Sequence, residues 1–280
     1  MARPIRYSIV LILSVVGLGL VVLTKKPISE LLISDHMSEF VDAVDRHRAK
    51  PANKLILIDL DDTAFHSVKL VGTPTWYYNM LNIIRQSGVA KNEAFLVMNK
   101  IDELVQERTQ VALIELATAR AIATWQKQNT VVIGLSSRLK NMKDITERQL
   151  ESVGLQFWSP YFACMEKLWP KDRGEFAHGV IYVDDFANKG KILNNALDLL
   201  IACGMHLELV AQADDQQHYV TEVSKLVRSR NLDFIGIIYG GVFRARAFDL
   251  HEANQQLFDM EETANMQIIP DEYRKIFMDH

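Results

Sequence analysis

The chain has 280 residues and a formal charge of −4 at pH 7, with 49% hydrophobic and 24% charged residues, enough for one large domain or two modest ones with a proper core. No cluster of lysines and arginines forms a basic face, so nothing argues for a nucleic-acid partner. The two cysteines, Cys164 and Cys203, are far apart and lack metal-ligand spacing; they read as buried apolar residues, with pairing open to an exported chain.

At the amino terminus, Tyr7 to Leu23 is apolar apart from Ser8 and Ser14, with Arg3 and Arg6 before it and Lys25 and Lys26 after. A helix rising about 1.5 Å per residue over this stretch nearly spans a bilayer core of about 30 Å. Residues 1–26 therefore read as a single-pass membrane anchor, as a secretory signal with a poor cleavage site, or as a buried helix. The first reading makes the membrane a partner and leans towards a periplasmic or extracytoplasmic globular domain. Residues 27–52 read as a helical linker, from the helical spacing of Leu31, Leu32, Phe40, Val41 and Val44, with Pro51 as its stop.

The next stretch, Leu55 to Ile58, is a short apolar run of the kind buried on both faces of a parallel sheet. It breaks into Asp59-Leu60-Asp61-Asp62-Thr63. Crowding three carboxylates at a strand end is costly without a cation or a special role. In open α/β sheets that end is also where ligands bind; the plain alternative is an acidic turn.

From about residue 64 to 129 the sequence has almost no strand signal. Helical spacing of Ile83, Ile84, Phe95, Met98, Ile101 and Leu104, and again of Leu113, Leu116, Ala121 and Trp125, predicts a helical insertion. Thr75 is a candidate cap for a helix starting at Trp76. Such an insertion either packs as a plain layer or forms a small cap over the acidic strand end. Trp76, Tyr77, Tyr78 and His66 are candidates for its substrate-facing side, and Glu115 is a weaker one.

A second apolar strand, Thr130 to Leu135, ends in Ser136-Ser137-Arg138, where a hydroxyl and a guanidinium suit an anion. The segment from there to Phe176 reads as a helix and then irregular chain. A strand from Gly179 precedes Asn188-Lys189-Gly190-Lys191, where a lysine opens a helix against the dipole preference. Leu207 to Ala213 is a further strand, ending in Asp214-Asp215, and Asn231 to Tyr239 is the last, closed by Gly240-Gly241. Residues 246–280 form an amphipathic helical tail that packs on the domain and carries no evident chemistry.

Strand–helix alternation over 53–245 predicts a doubly wound, parallel, Rossmann-like α/β sheet. Four groups follow in chain order at its carboxyl edge: Asp59/Asp61, Ser136, Lys189 or Lys191, and Asp214/Asp215. That order resembles the haloacid dehalogenase-like (HAD) superfamily, whose motifs are Asp-x-Asp-x-Thr, a strand ending in Ser/Thr, a Lys and an acidic pair. The phrases Gly-Leu-Ser-Ser-Arg and Lys-Gly-x-x-Leu also resemble a bacterial branch described only as a domain of unknown function. Two departures from the superfamily pattern are the small Ala64 after Thr63 and Gln212 in the strand before Asp214.

The resemblance implies a Mg²⁺-dependent phosphomonoester phosphatase acting on a phosphorylated small molecule or protein. Asp59 would be the nucleophile that forms an aspartyl-phosphate, and Asp61 the acid and base. Ser136 and Lys189 would hold phosphoryl oxygens, with Lys191 the alternative lysine and Arg138 a further anion contact. Mg²⁺ would be held by Asp59, the backbone carbonyl of Asp61, and Asp215 or Asp214. The alternatives are a phosphotransferase or mutase on the same scaffold, or a membrane-tethered binding module without catalysis.

Overall fold

The computed structural model describes residues 27–171, 174–183, 188–244 and 247–280. The expected anchor or signal, residues 1–26, lies outside them. No helix among the described residues is long and apolar enough to cross a membrane.

In chain order the strands are β1 (Ser29–Ser34), β2 (Lys54–Ile58), β3 (Phe65–Ser67), β4 (Val111–Leu113), β5 (Val131–Ser136), β6 (Glu175–Ala177), β7 (Val180–Tyr182), β8 (Leu209–Asp214) and β9 (Asp233–Tyr239). The α-helices are α1 (Met37–Arg46), α2 (Pro74–Gln86), α3 (Lys91–Gln106), α4 (Leu116–Lys127), α5 (Lys143–Ser152), α6 (Phe162–Leu168), α7 (Lys189–Ala202), α8 (Gln217–Ser229), α9 (Leu250–Ala264) and α10 (Asp271–Met278).

Seven strands form one sheet in the order β1-β9-β8-β2-β5-β7-β6. Every pairing in it is parallel except β6 with β7. The protein is thus an α/β fold on a mostly parallel sheet. β2 lies at the centre because Leu55, Ile56, Leu57 and Ile58 are apolar on both faces and each is fully buried. After β2 the chain builds outward through β5 and β7, then returns to β2's other flank with β8 and β9. β2 is therefore where the strand order reverses, the place where open α/β sheets collect ligands beyond their carboxyl ends.

Three expectations about the secondary structure need correction. Residues 29–34 form a strand rather than the start of a helix: Ser29 to Ser34 pair in register with Phe234 to Tyr239. A short Leu-Leu-Ile run fits both periods, and the free edge of β9 decides between them. The insertion contains a small antiparallel sheet, with Phe65 opposite Leu113 and Ser67 opposite Val111. Helix α2 starts at Pro74, capped by Thr73, whose hydroxyl accepts the Trp76 N–H at 3.2 Å; Thr75 is not the cap.

The buried apolar residues among those described sort into two clusters. One surrounds the sheet. The other joins α2 and α3 to α9 and α10 through residues such as Met80, Met98, Ile101, Leu257 and Phe277. The tail thus packs on the insertion and completes its core. Trp76 lies inside that second cluster, fully buried, and its indole N–H donates to Asn254 Oδ1 at 3.1 Å. It is a packing residue and does not face substrate.

Cys164 in α6 and Cys203 at the end of α7 form a disulfide. They are half-buried, and the link clips two helices together, so the reading of two separate apolar cysteines is corrected.

Candidate functional site

Beyond the end of β2 the chain turns tightly. Asp62 takes a left-handed backbone (φ 58°), and its N–H reaches the Phe65 carbonyl at 2.9 Å. This turn holds Asp59 and Asp61 over the carboxyl edge. Beside it β8 ends at Asp214, and the Asp59 N–H donates to the Ala213 carbonyl at 3.0 Å, continuing the ladder between the two strands. Fully buried Thr63 accepts the Asp215 N–H on its hydroxyl at 3.1 Å, which ties the two acidic loops together.

Carboxylate oxygens of Asp59, Asp214 and Asp215 lie within 4.8 Å of one another. Lys189, itself 1% exposed, bridges the first two: its Nζ is 2.6 Å from Asp59 Oδ1 and 2.8 Å from Asp214 Oδ2. The lysine opens α7, whose cap is Asn188, accepting the Lys191 N–H at 2.9 Å. Gly190 follows because a Cβ there would come within 3.0 Å of Asn188 Oδ1 and 3.3 Å of the Glu222 carbonyl on α8. Lys191 is exposed and is not among the residues lining the cleft beside Asp59.

One ammonium serves three carboxylates, and the electrostatics follow from that. Burial holds the Asp59 carboxyl well above its usual range; Lys189 opposes this, while Asp214 and Asp215 add to it. Burial and then Asp214 push Asp215 up to about 7, against Gln216 and Lys189. Asp62 also rises to about 7, through burial, Asp61 and Asp215. Lys189 itself is raised: burial works against its charge, but Asp214 and Asp59 outweigh it. This excess negative charge is the physical case for a second cation. A divalent ion suits an all-oxygen set of this kind, and the three acids are the residues able to hold it.

Asp214 is already satisfied. Its Oδ1 accepts from the Gln216 N–H at 2.9 Å, and its Oδ2 from Lys189 and from Gln212 Nε2 at 3.1 Å. Gln212, an odd residue for a buried strand, is there to hold that carboxylate. Asp215 has one oxygen bound by Gln216 Nε2 at 2.6 Å and lines the cleft above.

Asp61 is held differently. Both its oxygens accept from Arg138, Nε to Oδ2 and Nη2 to Oδ1, each at 2.8 Å. Arg138 Nη1 is taken by Thr146 at 3.0 Å and by Gln149 at 2.6 Å. Burial disfavours the guanidinium's charge, but Asp61 more than offsets it and raises its pKa. Arg138 is thus committed to Asp61 rather than free for an anion. Ser136 is 1% exposed and accepts the Arg138 N–H at 3.2 Å; the hydroxyl that lines the cleft is Ser137's, bonded to Tyr219 at 3.1 Å.

The cleft, of about 120 Å³, lies between these groups and helices α2 and α3. Asp59, Asp61, Arg138, Lys189 and Asp215 line it, as do Tyr77 and Tyr78. His66 and Trp76 do not line it, and Glu115 accepts from Tyr239 at 2.6 Å at the start of α4, where it braces α1 and β9. Among the lining residues that sequence reasoning missed, two carry charge or face a charge. Tyr219 on α8 lays its ring 4.3 Å from Lys189 Nζ. Asp102 on α3 is pushed up to about 7 by burial, with Arg138 and Gln106 opposing and Asp61 adding. Nothing in the local pattern of either helix marks these positions.

Fold and site together define an α/β protein with a buried acidic cluster at the carboxyl edge of a mostly parallel sheet. Residues 34–272 match one family model, and the chain belongs to that family, described as "Protein of unknown function (DUF2608)". Among curated proteins it is similar to a "Putative outer membrane protein" of Chlamydia trachomatis serovar D, at 24% identity over 67% of this chain and 69% of that one. A protein of the same description from Chlamydia muridarum is 25% identical over the same shares. No solved structure matches.

Proposed function

We propose that the protein is a Mg²⁺-dependent phosphomonoester phosphatase of the haloacid dehalogenase-like type, working through an aspartyl-phosphate on Asp59. The observation that carries this reading is the convergence of Asp59, Asp214 and Asp215 within 4.8 Å around Lys189. Phosphoryl transfer needs a positioned nucleophile and cations to receive the charge of the equatorial oxygens. Asp59 lies in the cleft with Lys189 against it, so a phosphoryl dianion meets a carboxylate whose charge is already offset. Mg²⁺, when bound, supplies the further positive charge; Asp59 and Asp215 would hold it directly, with the Asp61 carbonyl, while Asp214 positions Lys189.

Attack by an Asp59 oxygen forms the O–P bond as the alcohol's O–P bond breaks. Asp61, its carboxyl held in place by Arg138, gives a proton to the departing alcohol oxygen and takes one back from the water that attacks phosphorus. The Asp59 O–P bond then breaks, phosphate leaves and the Asp59 carboxylate is restored. Ser137 supplies a half-buried hydroxyl to the lining of the cleft, with Ser136 supporting the Arg138 backbone. The cap built by α2, α3 and the tail covers the leaving-group side.

We also place the catalytic domain outside the cytoplasm. The Cys164–Cys203 disulfide supports this, since such bonds persist in oxidising compartments. So does the description of the chlamydial relatives.

The test is release of phosphate from a chromogenic aryl phosphate with Mg²⁺, comparing wild type with Asp59→Asn and Asp61→Asn. Both variants lose turnover if the reading holds; equal rates in all three end it. Capture of the phosphoryl group by an added alcohol instead of water would favour a phosphotransferase.

A further inference from the structure

We propose that the cleft selects phosphomonoesters whose leaving alcohol carries an ammonium group, and that Asp102 is the residue that recognises it. This deepens the phosphatase reading and rests on it.

Charge arithmetic is the first ground. Among the described residues, four carboxyl groups line the cleft, Asp59, Asp61, Asp102 and Asp215, against two cations, Arg138 and Lys189. Both cations are committed: Arg138 to Asp61, Thr146 and Gln149, and Lys189 to Asp59 and Asp214. A divalent ion and a phosphoryl dianion cancel each other, so with substrate in place the described lining stays short of positive charge. A second phosphate or carboxylate on the leaving group meets repulsion there, and an ammonium meets attraction.

The second ground is where Asp102 sits. Asn99, Asp102 and Gln106 fall on one face of α3, three and four residues apart, and all three line the cleft, with Asp102 near enough to Arg138 and Asp61 to feel both charges. Asn99 is occupied by the Tyr77 hydroxyl at 2.6 Å. Asp102 receives one long hydrogen bond from Gln106 Nε2 at 3.3 Å, and that nitrogen has a closer partner in the Gly72 carbonyl at 2.8 Å. A carboxylate offers about four acceptor positions, so most of Asp102's capacity is open towards the cleft. It is not needed as a counter-ion for Arg138, because Asp61 already takes that guanidinium with two bonds of 2.8 Å.

The walls agree with this occupant. Tyr77 and Tyr78 on α2 and Phe95 on α3 line the same cleft as Asp102, and aromatic rings attract cations, quaternary ammonium included. A space of about 120 Å³ suits a small amino alcohol.

The experiment compares kcat/KM of the full chain with Mg²⁺ for phosphoethanolamine and phosphocholine, whose alcohols carry ammonium, and for glycerol 3-phosphate, whose alcohol is neutral. The preference expected of wild type is about tenfold or more, the worth of one modest ion pair. Asp102→Asn collapses that ratio, mainly through KM, and Asp102→Glu retains part of it; being a ratio within one protein, it is insensitive to partial misfolding. Equal kcat/KM for charged and neutral alcohols overturns the proposal, as does a preference that survives Asp102→Asn. If no phosphate ester is hydrolysed, the phosphatase reading fails separately. Calorimetric titration with choline then decides the ammonium site: saturable binding lost in Asp102→Asn sustains it, and no binding overturns it.

Discussion

Thr63 and Asp215 lie 152 positions apart, yet the Thr63 hydroxyl accepts the Asp215 backbone N–H at 3.1 Å. That bond sets the spacing of two loops which each bring carboxylates to the same point. Thr63→Val keeps the shape and removes the acceptor, leaving a backbone N–H unpaired beside a fully buried site. A loss of about 1–3 kcal/mol is expected from a urea melt. The rise in melting temperature on adding Mg²⁺ should shrink as well, because Asp215 would no longer be held. A variant with unchanged stability and an unchanged Mg²⁺ response would show that the bond does not position the cluster.

Lys189 is the one ammonium among three acids, and its removal has a pH signature. Lys189→Met leaves buried carboxylates uncompensated, a change of about 3–5 kcal/mol for a broken buried pair. Asp59 and Asp215 are already raised by burial, so without the lysine they take up protons more readily still. The deficit of the variant against wild type should therefore be largest near pH 8 and shrink towards pH 5. Paired urea melts at the two pH values measure it; a deficit independent of pH would mean the acids do not depend on Lys189.

How much of this was legible in the sequence depended on what decides each element. β2, β5, β8 and β9 are apolar runs buried on both faces, and they read plainly as parallel strands. The acids at their ends, with Lys189, were legible because their residue types are expensive to bury without a function. β1 was misread because a six-residue edge strand owes its state to β9, not to its own pattern. β6 was missed because its signal is a two-residue turn: His178 and Gly179 both take positive φ (52° and 75°), the backbone of a tight hairpin. Arg138 was legible as an anion ligand, but only the fold reveals that its anion is Asp61. Asp102 and Tyr219 sit on helices where many positions are polar, and packing alone chooses which face the cleft.

The disulfide gives a prediction that does not involve the site. Cys164 and Cys203 close a loop with a separation of 39 residues, and loop-closure entropy assigns such a link about 4 kcal/mol of stabilisation. Reduction, or the double substitution of both cysteines by serine, should lower the urea midpoint accordingly. Turnover under native conditions should persist, since neither cysteine touches the cleft. A midpoint unmoved by reductant would show that the link does not form in the folded protein.

Asp102 provides the last prediction, through its own ionisation. Its ordinary value is 3.8 and burial pushes it up to about 7 in the fold, against the pull of Arg138 and Gln106 and with Asp61 adding. The unfolded chain releases this proton near 3.8 and the folded chain only near 7, so the fold holds the proton more tightly. Stability tied to Asp102 is therefore full below about pH 4, falls as pH rises towards 7, and stays low above that. Asparagine cannot ionise, and its side-chain oxygen can keep the bond from Gln106. Asp102→Asn should thus be no more stable than wild type at pH 4 and progressively more stable up to pH 7, with a constant advantage beyond. Urea melts at pH 4, 5.5, 7 and 8.5, without added amines, trace the difference. A gain equal at every pH would mean Asp102 ionises in the fold without penalty. Adding choline at pH 8 should then narrow the gap between the two proteins, because an ammonium beside the ionised carboxylate supplies the partner the fold leaves out.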